Sequence, residues 1–183
     1  MPIGSCTIEL VRGDITRIPV DAIVNAANAS LAGGGGVDGA IHDAAGPSLM
    51  VELRQYNGCP TGSAVVTGAG NLPAKYVFHA VGPVYHGGHR DEATLLAGCY
   101  RKVVELALEL GCESMSIPSI STGVYGYPIP EAAQVALSAI AEALPSEGTL
   151  RTIKLVQFNE ASYNAYSKLM YKSAGKQTSA QTS

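Results

Sequence analysis

The sequence predicts an α/β protein that folds as a single domain. Segments typical of strands, with alternating apolar residues or short apolar runs, are followed by segments whose apolar residues recur every three or four positions, as in helices. Several strand-like segments lead into loops rich in glycine and small polar residues. The 183 residues are enough to bury one core. These features favour a sheet layered with helices, with ligands bound beyond the carboxyl ends of its strands.

Six segments are predicted to be strands. The first, CTIELVR at 6–12, alternates between apolar and polar residues, and the second, AIVNA at 22–26, reads as a short buried strand. The remaining four are residues 63–68, 75–81, 113–118 and 150–158.

Five segments are predicted to be helices: residues 39–45, 48–56, 91–110, 131–144, and a last one that Asn159 or Ser162 caps and that runs to Tyr171. The longest of them presents one apolar face, and Gly111 ends it. Pro130 occupies the first position of the fourth helix, where proline is favoured. The domain is therefore expected to span 1–172, followed by a small, polar and disordered tail over 173–183.

Composition excludes several classes of protein. The net charge of −3 and the pI near 5.8 lack the basic character of a nucleic-acid binder, so an anionic ligand must be held mainly by backbone N–H groups. No apolar run approaches the ~20 residues that cross a bilayer, and the first residues lack a secretory segment. The four cysteines have no zinc-ligand spacing. We expect a cytoplasmic protein with reduced thiols, no bound metal and no cofactor.

Unusual residues follow four of the predicted strands. They are Gly13-Asp14-Ile15, the stretch NAANASLAGGGGVDG at 25–39, SISTGVYGY at 119–127, and Phe158-Asn159. The second stretch combines the amides of Asn25 and Asn28 with four glycines and Asp38, and the third offers consecutive N–H groups of the kind that cradle phosphate. Two such loops suit a diphosphate better than a single phosphate, although the third stretch taken alone could be only a turn.

Three familiar nucleotide or hydrolase motifs do not explain these loops. Residues 34–39 match GxGxxG formally, but no acid follows about 20 residues later to bind a ribose, which argues against a dinucleotide-dependent dehydrogenase. The chain contains neither a GxxxxGK[ST] phosphate loop nor a GxSxG nucleophile elbow.

The ordered motifs resemble those of a macro domain. They are GDIT at 13–16, VDAIVNAAN at 20–28, GGGGVDGAIHDAAG at 33–46, LPAKYVFHAVGP at 72–83 and SISTGVYGYP at 119–128, and the resemblance covers residues 6–172. It implies a three-layer α/β/α fold around a mixed, mostly parallel six-stranded sheet. NAAN followed by GGGGVDG is most similar to the MacroD-like branch, whose members remove mono-ADP-ribose from acidic side chains. Many of them also deacetylate O-acetyl-ADP-ribose.

The same resemblance implies a role for each loop. Asp14 accepts a hydrogen bond from the adenine amino group, Ile15 N–H lies against that ring, and Phe158 stacks on it with Asn159 nearby. Two groups of residues wrap the diphosphate: Gly34, Gly35, Gly36 and Val37, and Ser121, Thr122, Gly123, Val124 and Tyr125. Asn28 and Asp38 are the predicted catalytic residues, on the distal ribose and over its anomeric carbon. Asn25 is placed with the ligand-binding residues.

Plainer interpretations stay open at this point. Asp14 and Asp38 could be helix caps, Phe158 a core residue, Asn25 a support for the loop backbone, and His42 a structural residue. The expected partners are ADP-ribose, its esters and mono-ADP-ribosylated proteins, with no membrane and no nucleic acid. The main alternative to a hydrolase is a module that binds ADP-ribose without cleaving it, and a weaker one is an RNA binder.

Overall fold

The computed structural model describes residues 1–180, with side chains described as far as residue 176. Over these residues the chain forms seven strands and five α-helices. The strands are β1 (Pro2–Ile3), β2 (Cys6–Arg12), β3 (Ala22–Ala27), β4 (Ala64–Gly68), β5 (Tyr76–Val81), β6 (Ser114–Ile117) and β7 (Thr152–Gln157). The helices are α1 (Gly36–Ala45), α2 (Ser48–Leu53), α3 (Glu92–Glu109), α4 (Ile129–Ala143) and α5 (Glu160–Ala180). A short 3-10 helix, Ile15–Arg17, follows β2.

The strands form one mixed sheet in the order β1-β2-β7-β6-β3-β5-β4. The five central strands are parallel, and the edge strands β1 and β4 are antiparallel to their neighbours. The prediction of a mixed, mostly parallel sheet is confirmed, but its strand count of six is wrong. The seventh strand, β1, has two residues, which is too short to produce a recognisable periodicity.

Helices cover both faces of the sheet, so the predicted three-layer α/β/α architecture is confirmed. On one face Phe78 of β5 packs in a core with Tyr100 of α3 and Tyr166 of α5, and α4 contributes to the same core. On the other face Ile23 of β3 packs with Ile41 of α1. Because apolar side chains fill both faces, the parallel strands are buried, as parallel strands usually are.

Two of the five predicted helices, α3 and α4, agree with the structure to within two residues at both ends, and each of the other three differs by more at one end. Helix α1 begins three residues earlier than predicted, at Gly36, and α2 ends three residues earlier, at Leu53. Helix α5 continues through residues 173–180, where the sequence predicts a disordered tail, and residues 181–183 lie outside the described part. Alanine, lysine and glutamine favour the helical backbone, so the packed part of α5 can propagate into this segment.

All four cysteines are free and buried, at positions 6, 59, 99 and 112. Burial raises the pKa of the Cys99 thiol to about 12, so this side chain behaves as a small apolar residue. Among the described helices, none combines the length and the apolar character needed to cross a bilayer.

The direction of the strands decides where a site can form. The carboxyl ends of β2, β7, β6, β3 and β5 all lie at the same edge of the sheet. The loops after four of these strands, β2, β3, β6 and β7, are the ones in which the sequence places its unusual residues, and they meet at that edge.

Candidate functional site

A cleft of about 710 Å³ opens at the carboxyl edge of the parallel strands. Its walls come mainly from the loops after β2, β3, β6 and β7 and from the start of α1, with single residues from the loop after β5 and from α5. Fifteen of the predicted site residues line it: Asp14, Ile15, Asn28, Gly34, Gly35, Gly36, Val37, Asp38, Ser121, Thr122, Gly123, Val124, Tyr125, Phe158 and Asn159. The fold therefore brings together residues that are up to 145 positions apart, from Asp14 to Asn159.

The loop between β3 and α1 is shaped by glycine conformation and by Asn28. Gly33 and Gly36 have φ values of +83° and +58°, which side-chain-bearing residues rarely adopt. Asn28 Nδ2 donates to the Gly33 carbonyl at 2.8 Å, and its Oδ1 accepts from Ala32 N at 3.1 Å. Gly35 is the N-cap of α1. The N–H groups of the first helical turn, which lack acceptors within the helix, are therefore available to a polar group in the cleft.

The loop between β6 and α4 forms the opposite wall. Ser121 is buried with a φ of +67°, a strained conformation for a residue with a side chain. The Ser121 carbonyl accepts a hydrogen bond from Tyr127 N at 2.9 Å, which joins the two ends of the loop segment 121–127. Gly82, after β5, lies directly beneath this loop, and a Cβ there would collide with the Ser121 hydroxyl. The hydrogen bond to Tyr127 and the close approach of Gly82 thus support the backbone conformation of this wall.

Asp38 is an acidic residue that lines the cleft at the first turn of α1. Its side chain is largely buried, at 6% exposure, and its Oδ1 accepts a hydrogen bond from Asn25 Nδ2 at 2.6 Å. His42, one turn along α1, places Nε2 3.3 Å from the same oxygen. A Cβ on Gly34 would lie 3.4 Å from the other oxygen, so the carboxylate sits directly behind the glycine loop. Asp38 lies within the first turn and does not cap the helix, since Gly35 is the N-cap.

Asn25 lies outside the cleft, contrary to its predicted place among the ligand-binding residues. It is fully buried and does not line the cleft, and its amide contacts Asp38 and His79. The alternative interpretation, in which Asn25 supports the loop backbone, does not agree with these contacts either. The physical reason is the alternation of side chains along β3, which places Asn25 on the same face as Ile23, the face that α1 covers.

At the other end of the cleft Asp14 combines two roles. Its side chain caps the 3-10 helix by accepting from Thr16 N at 3.0 Å and from Thr16 Oγ1 at 2.7 Å. These hydrogen bonds lower the pKa of the Asp14 carboxyl, with Arg17 adding to the effect, so Asp14 is an anionic acceptor at neutral pH. The predicted capping alternative is therefore correct, and the residue lines the cleft as well.

Phe158 is a rim residue and not a core residue. Its side chain is 84% exposed, and it lies on the cleft. The next residue, Asn159, uses Oδ1 to accept from Ser162 N at 2.9 Å, as expected of a residue that caps α5. An exposed aromatic ring beside a cleft offers a flat surface for a base or another planar group.

Comparison with known proteins identifies the family. Residues 24–136 match the family model of the macro domain. The chain belongs to the macro domain family. It is 50% identical over 167 residues to an O-acetyl-ADP-ribose deacetylase of Citrobacter rodentium, and the match covers 89% of this chain and 94% of that protein. The resemblance predicted from the ordered motifs is therefore confirmed.

Two solved macrodomains show the same similarity in three dimensions. The Oceanobacillus iheyensis macrodomain with ADP has a TM-score of 0.91 and 42% identity, over 96% of each chain. The Trypanosoma brucei macrodomain in complex with ADP-ribose has a TM-score of 0.82 to 0.84 in its nucleotide-bound forms. In the ADP-ribose complex the identity is 44%, and the match covers 89% of this chain and 68% of that one.

Sequence reasoning missed some of the macro domain's cleft residues. The lining also includes Gly82, Pro118, Ser119, Gln157 and Ser162, which were not predicted to contact a ligand. The Gly82-Pro83 pair was the available signal for the first of these, because a glycine directly after a buried strand often permits close approach of another segment. Likewise His42, predicted to be structural, lies against the Asp38 carboxylate.

Proposed function

We propose that this macro domain binds ADP-ribose in the cleft and hydrolyses adducts of its distal ribose. The reactions are removal of mono-ADP-ribose from acidic side chains of proteins and deacetylation of O-acetyl-ADP-ribose. The observation that carries the proposal is the largely buried carboxylate of Asp38, held behind a glycine loop that lines the cleft. The deacetylase from Citrobacter and the nucleotides bound by the two similar macrodomains support it.

In this proposal the diphosphate lies between the two glycine-containing walls. The ligand's negative charge is met by backbone N–H groups of Gly34–Val37 and of Ser121–Tyr125, because the described lining residues include no lysine or arginine. Adenine then lies at the end formed by Asp14, Ile15 and Phe158. The distal ribose lies at the opposite end, beside Asn28 and Asp38.

The chemistry must differ from that of an ordinary glycosidase. Glycosidases usually place two carboxyl groups on either side of the scissile bond, whereas this cleft contributes Asp38 at the ribose end and Asp14 at the adenine end. We assign to Asp38 the positioning of a water molecule and of the ribose hydroxyls, and to Asn28 the orientation of the ribose. A diphosphate oxygen of the ligand assists as the base. General-base assistance of this kind contributes roughly 10²–10⁴-fold to a rate.

Replacement of Asp38 by asparagine separates binding from turnover. Asparagine keeps the size of the side chain and an oxygen that can accept from Asn25, so the fold and the cleft are retained. We expect Asp38→Asn to slow release of ADP-ribose from a glutamate-modified protein by about 10²-fold or more. The Kd for ADP-ribose, measured by calorimetry, is expected to stay within a few-fold of wild type. Asp43→Asn is the matched control, because Asp43 is an exposed aspartate of the same helix.

Each outcome of this experiment has a distinct meaning. Wild-type protein that binds ADP-ribose but releases none from the modified protein or from its O-acetyl ester is a binding module, and the proposed reaction is wrong. Equal rates of ADP-ribose release by Asp38→Asn and by wild type would show that Asp38 does not have its proposed role in hydrolysis. Failure to bind ADP-ribose at millimolar concentration contradicts the assignment of the cleft itself.

We further propose that the substrates are mono-ADP-ribosylated proteins of the cytoplasm. Four free, buried cysteines suit a reducing compartment. Fractionation of a deletion strain and of the same strain expressing a tagged chain, followed by blotting for mono-ADP-ribose in each fraction, tests this assignment. Accumulation of the modified proteins in the cytoplasmic fraction of a deletion strain is the expected result, and accumulation elsewhere contradicts it.

A further inference from the structure

A buried polar row crosses three strands beneath α1 and ends at Asp38. The strand register pairs Asn25 of β3 directly with His79 of β5, and both side chains are fully buried. Asn25 Nδ2 lies 3.2 Å from His79 Nδ1, and Thr67 Oγ1 of β4 lies 2.9 Å from His79 Nε2. None of these three residues lines the cleft. The row therefore reaches the cleft only through the bond from Asn25 to Asp38.

The chemistry of the donors fixes the proton positions along this row. The Asp38 carboxylate accepts, so the Asn25 group that faces it is the amide NH₂. The second hydrogen of that NH₂ points at His79 Nδ1, which must accept it. The imidazole proton then lies on Nε2 and is donated to Thr67 Oγ1, whose own hydroxyl donates to the Gly68 carbonyl at 2.8 Å. Every hydrogen bond in the row has one donor and one acceptor when His79 is neutral.

The other end of the Asn25 amide provides no restraint. Its Oδ1 is buried and has no hydrogen-bond partner among the described residues. An asparagine amide can turn by 180° with little change in shape, and that turn would place Oδ1 against the Asp38 carboxylate. The Nδ1 acceptor of His79 opposes the turn, because it accepts from an NH₂ group and repels an oxygen. Burial and the nearby His42 lower the pKa of His79 to about 3, so the ring keeps this acceptor at neutral pH.

We propose that His79 is a positioning residue for hydrolysis, which fixes the Asn25 amide so that it donates to Asp38. The inference rests on the proposed function for its kinetic consequence. It assigns no contact between His79 and the ligand. Its role is to hold the Asp38 carboxylate in one orientation while the water and the ribose occupy the cleft.

The first test uses the wild-type protein and needs no substitution. Long-range ¹⁵N–¹H correlation spectra of the imidazole rings distinguish the two neutral tautomers and the charged ring. The proposal requires the Nε2–H tautomer for His79 at pH 7. Observation of the Nδ1–H tautomer or of a protonated ring overturns it, whether or not any variant folds.

The second test compares two substitutions that keep different halves of the imidazole. Asparagine places an oxygen as many bonds from Cβ as Nδ1, and glutamine places its terminal atoms as far out as Nε2. His79→Asn retains the acceptor for Asn25, and we expect its kcat to stay within a few-fold of wild type. We expect His79→Gln to lose about 10–100-fold in kcat, the scale of small misplacements in a site, with the Kd for ADP-ribose unchanged. His89→Gln, which alters an exposed histidine, controls for the loss of an imidazole.

A merely structural role for His79 predicts a different pattern. Both substitutions would then lower the melting temperature and kcat together, or neither would change kcat, and either pattern overturns the proposal. Wild-type protein that hydrolyses nothing contradicts the proposed function, and the tautomer measurement then decides the inference separately. A kcat near the wild-type value for His79→Asn, together with a reduced kcat for His79→Gln, supports the proposal that His79 is a positioning residue.

Discussion

Asp38 is an acidic side chain that the fold largely removes from water. An unpaired buried carboxylate is costly, and here two side chains reduce that cost. Asn25 donates to Oδ1 at 2.6 Å, and His42 lies 3.3 Å from the same atom. Neither neighbour is a lysine or arginine, so these two contacts bring no permanently charged cation to the Asp38 carboxyl group. A carboxylate held in this way is suited to orient a water molecule or a hydroxyl.

The stability of the protein is expected to fall in mild acid because of His79. Its folded-state pKa is about 3, against an ordinary value of 6.5, since burial and the neighbouring His42 disfavour the charged ring. Between these two values the unfolded chain binds a proton that the folded chain does not. The free energy of unfolding should therefore be highest above pH 6.5 and decrease towards pH 3, by up to about 1.4 kcal/mol per pH unit from this group.

Urea unfolding at several pH values between 7 and 4 measures this effect. In His79→Asn the free energy of unfolding should depend less on pH, because no histidine at this position takes up a proton on unfolding. His89→Gln, at an exposed position, should leave the pH dependence unchanged. Because carboxyl groups are also protonated as the pH falls, the free energies of unfolding of the variants and of wild type are compared at each pH. Identical slopes for wild type and His79→Asn would show that His79 is not held neutral by the fold.

At the scale of elements, α1 and the glycine loop before it form one unit. Gly39 lies in the first turns of α1, and a Cβ there would lie only 2.8 Å from the Gly34 carbonyl. Alanine normally stabilises a helix interior relative to glycine by about 1 kcal/mol. Here the contact is with backbone, so the loop must move instead. The close approach of helix and loop therefore requires glycine at position 39.

Gly39→Ala is expected to weaken ADP-ribose binding more than it changes stability. Displacement of Gly34 would misalign one or two N–H groups from the diphosphate, which corresponds to roughly 10–100-fold in Kd. Gly175→Ala is the matched control, because Gly175 is also helical but has open space around its Cβ position and lies far along α5. Calorimetric titration of both variants with ADP-ribose tests this expectation. An unchanged Kd for Gly39→Ala would show that the loop tolerates the shift.

The loops of the site could be predicted from sequence because their chemistry is local. Consecutive glycines, asparagines and hydroxyl residues after a strand indicate polar loops without knowledge of the fold. The partnership of Asn25 and His79 could not be predicted in this way. It depends on the register between β3 and β5 and on the position of α1 above that face, and spacing along the chain encodes neither.

At the scale of the whole molecule, the site depends on strand order. Five parallel strands direct their carboxyl ends to one edge, and two short antiparallel strands close the sheet on either side. Periodicity predicted the elements, but their arrangement as a mixed, mostly parallel sheet came from the resemblance to macro domains. The residue-level pattern could not reveal β1, which has two residues, nor the continuation of α5 beyond Tyr171, where the sequence becomes small and polar.

Ligand binding should stabilise the entire domain, because the cleft joins residues that follow five strands with residues of two helices. At a concentration 100 times its Kd, a ligand that binds only the folded state adds about 2.7 kcal/mol to the free energy of unfolding. For a chain of this size that corresponds to a rise in Tm of about 5–10 °C. Thermal unfolding with ADP-ribose, compared with ribose 5-phosphate at the same concentration, measures the effect. Equal shifts for the two compounds would contradict recognition of the full nucleotide.

The absence of lysine and arginine among the described lining residues has a consequence for selectivity. A site built from side-chain cations attracts many polyanions and weakens steeply as ionic strength rises, through screening and counter-ion release. Backbone dipoles act only at short range and in fixed directions, so they bind tightly only an anion whose oxygens match the positions of the N–H groups. Affinity in this cleft should therefore vary little with salt. Abundant cellular polyphosphates of a different shape should therefore bind the cleft weakly, because their charge alone adds little affinity.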